Sequence, residues 1–103
     1  MKESKIEAYL VERVKALGGE VRKVVWQGRR GAPDRLVMLP KRWTWEGGHH
    51  CAMPPGTFWV ELKATGVAPE AHQLREHERM ASMGQHVVVI DSIESVDALL
   101  GKP

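Results

Sequence analysis

The chain has 103 residues, 43% of them hydrophobic and 27% charged, which is the makeup of one globular domain with a single core and too short for two. No apolar run approaches the roughly 20 residues of a membrane span, and the lone Cys51 excludes an internal disulfide and fits a reducing cytoplasm. The net charge of +2 says little about partners, but its distribution is uneven: from Arg22 to Arg42 seven basic residues stand against one acid, Asp34. The opening Met1-Lys2-Glu3-Ser4 lacks the apolar centre of a secretory signal, so a cytoplasmic protein is expected.

Residues 4 to 17 read as a helix, because Ile6, Leu10, Val14 and Leu17 recur at helical spacing and Gly18-Gly19 stops the run. Ser4 and Glu7 have capping-box spacing. Glu20 to Trp26, rich in β-formers, reads as a strand. A Gly- and Pro-bearing loop follows to Pro33, and Asp34 opens a second strand, Arg35 to Leu39. Pro40 to Gly56 holds three prolines and three glycines and reads as an inserted loop or embellished hairpin. Thr57 to Lys63 is a third strand. Pro69 suits the start of a helix that runs to about Met83, with Leu74, Met80, Ala81 and His77 as its thin apolar stripe and Gly84 as its stop. The continuous run Val87-Val88-Val89-Ile90 suits a strand buried on both faces. Ser92 then caps a last helix with Ile93, Val96, Leu99 and Leu100 inward. The order αβββαβα predicts an α/β fold: a mixed central sheet flanked by helices, in a single domain over residues 1–103.

Two short motifs carry the chemistry. Gly31-Ala32-Pro33-Asp34 places an acid at a strand start, and Val60-Glu61-Leu62-Lys63 places an acid and a base two residues apart, hence on one face. Hydrolysing a phosphodiester puts negative charge on a centre that is already negative. A hard divalent cation offsets that charge, orients the phosphate and lowers the pKa of bound water. Carboxylates from Asp34 and Glu61, with the backbone carbonyl of Leu62, form an oxygen donor set suited to Mg²⁺ or Mn²⁺. Lys63 then lies near the attacking water as a proton acceptor or a positive charge on the phosphate. The basic residues Arg29, Arg30, Arg35, Lys41 and Arg42 are candidates for the DNA backbone; a solvated basic edge is the plainer reading of the same cluster.

The order of a helix with Glu7, then Gly31-x-Pro33-Asp34, then Glu61-x-Lys63, then a helix bearing Gln73 resembles the PD-(D/E)XK nuclease superfamily. The stretch Val60 to Ala64, followed by Pro69, Gln73 and Gly84 before the Val87–Ile90 strand, resembles the VRR-NUC family more narrowly. The likeness covers nearly the whole chain except the Pro40–Gly56 insertion. It implies a restriction-endonuclease-like core and Mg²⁺- or Mn²⁺-dependent cleavage of DNA. It implies that Asp34 and Glu61 are metal ligands, that Lys63 is the catalytic lysine, that Glu7 reaches the metal directly or through water, and that Gln73 orients the lysine or the phosphate. The capping box with Ser4 is a competing reading of Glu7. Small members that stand alone resemble phage and bacterial junction-cleaving enzymes, which implies a homodimer acting on branched DNA, four-way (Holliday) junctions above all. Leu99 and Leu100 are candidates for a dimer contact, with ordinary core packing as the alternative.

Other features carry less. Trp43 and Trp45 sit beside Lys41 and Arg42, where aromatics next to bases suit unpaired nucleotides, or else cover the sheet or a partner. His49, His50 and Cys51 lack a fourth ligand at zinc spacing. His72 and His77 are read as partly exposed helix residues, either of which could touch DNA. Gly28-Arg29-Arg30-Gly31 is too short for a nucleotide-hydrolase phosphate loop, so no organic cofactor is expected. The rival functions are a nuclease acting on flaps, nicks or other DNA, a nucleic-acid-binding module that does not cut, and a structural or assembly protein.

Overall fold

A computed structural model describes residues 1–103, except for the side chain of Glu46. Helix α1 spans Glu3–Ala16. Its Ile6, Leu10 and Val14, four apart, share one face and are fully buried. Its end is closed by paired hydrogen bonds, Gly18 N to Lys15 O (3.0 Å) and Gly19 N to Val14 O (2.9 Å), the geometry of a Schellman stop. The expected capping box at its start does not form. The N-cap is Lys2, with no side-chain cap, so Ser4 already lies inside the first turn and Glu7 is free for another partner.

The central sheet has four strands: β1 (Glu20–Lys23), β2 (Arg35–Leu39), β5 (Gly56–Leu62) and β6 (Val87–Ile90), in the order β1-β2-β5-β6. The first two pairings are antiparallel and the last is parallel, so the sheet is mixed, as the sequence order predicts. Between β2 and β5 the insertion folds as a separate antiparallel ribbon, β3 (Arg42–Glu46) with β4 (His49–Met53). Of the two forms expected for this segment, a loop or an embellished hairpin, the second is the one seen.

Alternation along the strands sorts the two faces. Val37, Leu39, Val60, Leu62 and Ile90 meet Ile6, Leu10 and Val14 of α1 and Val96 and Leu100 of α3 (Ile93–Leu100) in one buried cluster. Leu100 is thus a core residue and not a dimer contact, and Leu99 packs partly buried against the same cluster. Ser92 caps α3 as expected, accepting from Ser95 N at 3.0 Å. A polar knot ties α3 to α1: Tyr9 OH donates to Asp97 Oδ1 (2.7 Å), Arg13 pairs with the same carboxylate, and Arg13 Nη2 donates to Gly101 O (2.6 Å).

The opposite face of β5 carries Trp59 and Glu61 and lies beneath α2 (Ala71–Ser82), while Lys63, expected to end the strand, falls one residue past it. That helix begins two residues after Pro69, with Glu70 as N-cap in a capping box with Gln73. Its buried stripe is Glu76, His77 and Met80, while Leu74 is 52% exposed. The expected apolar stripe is wrong at Leu74 and Ala81, which are exposed; the inward face is the one on which Glu76 and His77 find partners in Arg29 and Glu61. Two strands also depart from expectation. β1 stops at Lys23, three residues early, because Trp26 turns away to donate Nε1 to Pro33 O (2.8 Å) and to stack on Trp59, ring centres 5.1 Å apart. β6 is only half-buried except at Ile90, because it forms the sheet's outer edge rather than its middle.

Candidate active site

Pairing register sets the two acids. Arg35 opposite Val60 is the last paired rung of β2 with β5; Asp34 and Glu61 are the next residue beyond it on each segment, and both line one cavity. The Asp34 backbone is held from the other side, where its carbonyl accepts from Val24 N at 2.9 Å. Pro33 is fully buried. Gly31 has φ +85, and a Cβ there would stand 2.9 Å from His72 O and 3.3 Å from the Gln73 Cα. Only a glycine lets this loop dock against the first turn of α2.

Glu61 is 8% exposed. His77 Nε2 stands at hydrogen-bond distance, 3.3 Å, from its Oε1. Burial pushes the Glu61 carboxyl above its ordinary range. The His77 hydrogen bond and the Lys63 charge oppose that only in part, and the Asp34 charge adds to it. Lys63 is half-buried, and its backbone N donates to Ile90 O at 2.9 Å. Leu62 keeps its side chain in the core at the last position of β5.

Glu7 reaches the same place from α1. Arg35 bridges the acids, with Nη2 2.5 Å from Glu7 Oε2 and Nη1 2.9 Å from Asp34 Oδ1. Glu7 and Asp34 hold the Arg35 proton against a burial effect of opposite sign, and its pKa is raised. Glu3, Ser4, Glu7, Asp34, Arg35 and Glu61 line one polar cavity of about 310 Å³. Gln73 is engaged elsewhere through its amide oxygen, which accepts from Glu70 N at 2.9 Å; its amide hydrogens are the part left for a substrate.

This donor set fits a hard divalent cation. A buried carboxylate whose charge is disfavoured, near a second carboxylate, would gain from a cation there, beyond the partial compensation that Lys63 and His77 already give. Asp34, Glu61 and Glu7 line the same cavity, but among the described residues no group of three His, Cys, Asp or Glu side chains is drawn together closely enough to hold a metal ion. Asp34 and Glu61 would hold the ion, with Glu7 at the rim of the same cavity.

The basic cluster does not surround these acids. β2 carries the chain away from Asp34, so Lys41 and Arg42 lie at the other end of the strand, roughly 20 Å off at the usual rise per residue. Arg42 is 7% exposed and donates to Pro54 O at 3.3 Å, which removes it from any DNA-facing surface. Arg35 is spent on Glu7 and Asp34. Arg29 pairs with Glu76 (3.0 Å) while 37% exposed, and Arg30 and Lys41 are exposed. Trp43 and Trp45, 64% and 65% exposed, stand on the ribbon at that distant end.

Two residues were undervalued. His72 pairs with Glu70 at 3.3 Å, but His77 is buried against Glu61. Its position four residues after Gln73, on the same helical face, was the available signal. Arg35 read as a DNA contact because a lone basic side chain after Asp34 says nothing of its partner on α1.

No family model matches the sequence. The curated protein named "Putative nuclease p44", from Acyrthosiphon pisum secondary endosymbiont phage 1, is 41% identical over 92 residues, covering 89% of this chain and 85% of that protein. A solved structure described as "VRR_NUC domain" superposes with a TM-score of 0.73 at 42% identity, covering 96% of this chain and 94% of the other.

Proposed function

The chain belongs to the VRR-NUC family of the PD-(D/E)XK nuclease superfamily, and from that premise we propose that it is a Mg²⁺- or Mn²⁺-dependent endonuclease that cuts branched DNA, four-way junctions above all, as a homodimer. What supports the reading is that Asp34 and Glu61, each one residue past the Arg35–Val60 pair, line one cavity with Glu7, with Lys63 two residues after Glu61.

A divalent cation held by Asp34 and Glu61 would supply counter-charge to the scissile phosphate and lower the pKa of a bound water, so that it gives up a proton to solvent before attacking. The side chains do the remainder. Asp34 and Glu61 fix where the phosphate sits by fixing its counter-charge. The Lys63 ammonium, beside Glu61, stabilises the charge that builds on the phosphate oxygens. Glu7, held by Arg35, closes the α1 side of the cavity and acts through water. The free amide hydrogens of Gln73 meet a phosphate oxygen. Arg29 and Arg30, on the loop just before Asp34, take the flanking backbone, where phosphate contacts position the duplex without reading sequence. Lys41 takes a more distant phosphate. A small domain covers few phosphates, and a junction must be cut twice in symmetry-related strands. A twofold pair of chains provides two equivalent sites.

The test is a panel of labelled four-way junctions, flaps, nicked and linear duplexes, each with Mg²⁺, Mn²⁺ or EDTA. Paired symmetric nicks across the junction, lost in EDTA, are expected. Lys63→Ala should bind the junction without cutting it. Trimming from ends, or equal rates on linear duplex, refutes the junction; cutting in EDTA refutes the metal.

A further inference from the structure

Helix α2 is fastened at three points that converge on the candidate site. Its first turn abuts Gly31. Buried Glu76 pairs with Arg29 at 3.0 Å, on the loop that leads to Asp34. The next residue, His77, reaches Glu61 on β5. One helix thus braces both strands that carry the carboxylates. The His77 and Glu61 side chains are only 10% and 11% exposed, so bulk water cannot replace the hydrogen bond between them.

We propose that His77 is a positioning residue for Glu61. Its Nε2–H holds Oε1 and fixes the carboxylate rotamer, leaving Oε2 for a divalent cation. This rests on the metal-dependent reading given above and adds a residue to it. The physical reason is geometric. A glutamate side chain has three rotatable bonds, and an octahedral ion tolerates little error in where a lone pair points. A second hydrogen bond to a ligating carboxylate removes that freedom before the ion arrives. Lys63 and Asp34 act on the Glu61 charge, and among the described residues His77 is the hydrogen-bond partner of its carboxylate.

The test titrates MnCl₂ into the metal-free protein by calorimetry, without DNA. The variants are His77→Met, His77→Gln and His77→Asn, with Glu61→Gln as reference, and each is melted to check its fold. Gln places an amide donor near the position of Nε2; Met fills the space without a donor; Asn donates but is too short to reach. Loss of an outer hydrogen-bond partner typically costs about 10- to 100-fold in metal affinity. Met and Asn should lose that much Mn²⁺ affinity while melting close to wild type, and Gln should recover most of it. In cleavage assays the Met and Asn deficits should shrink as Mn²⁺ is raised, since the ligands remain. Should Met fail to fold, the contrast between Gln and Asn decides the matter alone. Wild-type affinity in Asn, or equal loss in Gln and Asn, overturns the role of His77. If Glu61→Gln itself binds Mn²⁺ like wild type, the carboxylate site falls, and the role of His77 with it. If Glu61→Gln abolishes binding and the His77 variants do not differ from wild type, only the His77 proposal falls.

Discussion

Gly31→Ala probes the joint between the Asp34 loop and α2, and Gly28→Ala is its control. Both glycines have positive φ, +85 and +66, so alanine meets the same left-handed penalty at each, about 1–2 kcal/mol. They differ in surroundings. At Gly28 an added Cβ meets nothing within 4 Å, whereas at Gly31 it stands 2.9 Å from His72 O and 3.1 Å from the His72 Cδ2. Backbone oxygen cannot swing aside, so the loop and helix must part, at a further cost of about 1–3 kcal/mol. Gly31→Ala should therefore lose about 2–5 kcal/mol against about 1–2 for Gly28→Ala. For a domain of this size the gap is a melting temperature lower by roughly 5–20 °C. Urea unfolding should show a lower midpoint with unchanged m-value in both variants, and more so in Gly31→Ala. Cleavage, assayed where both variants remain folded, should fall about 100-fold in Gly31→Ala alone, because a displacement near 1 Å at a catalytic group costs that much. Equal stability and equal activity of the two variants would refute the docking of this loop on α2.

Asp97→Ala removes the partner of Arg13, whose side chain is only 11% exposed, and should cost about 2–3 kcal/mol in urea unfolding, between the values for surface and buried pairs. A loss under half a kcal/mol would mean that the knot between α1 and α3 contributes nothing. Glu61→Gln should stabilise the metal-free protein at neutral pH while abolishing cleavage. Because the folded carboxyl holds its proton to higher pH than the unfolded one, the wild type has its full stability below the unfolded carboxylate range and loses some as pH rises through the folded pKa. The stability gap between variant and wild type should widen over that window and then level off. A gap independent of pH, measured in EDTA, contradicts it. Asp34→Ala and Lys63→Ala should both reduce cleavage below detection with native circular dichroism; wild-type rates in either would reject the assignment.

Local periodicity made most of the fold legible. Ile6, Leu10 and Val14 declare one helical face and Ser92 declares a cap, because each signal lies within a few residues. What stayed hidden depends on distant partners. Whether Val87–Ile90 sits inside the sheet or at its edge is decided by strand order, to which the run itself is blind. Leu74 points to solvent because Glu76 and His77 have charged partners on other elements, Arg29 and Glu61. The basic run from Arg22 to Arg42 is continuous in sequence but is pulled apart by the length of β2. At the candidate site, the acids were nameable from two short motifs, whereas the Arg35 bridge to Glu7 and the His77 contact join residues 28 and 16 positions apart.

The ribbon of β3 and β4 leaves the sheet after Leu39 and returns at Gly56, two residues that face each other on a single rung. Departure and return share one doorway, so the arm's length never enters the spacing that aligns β2 with β5. Five paired rungs insulate the carboxylates from whatever is grafted, exchanged or trimmed beyond that doorway. Descendants of this fold are accordingly free to reinvent the arm while the chemistry at the opposite end stays as it is.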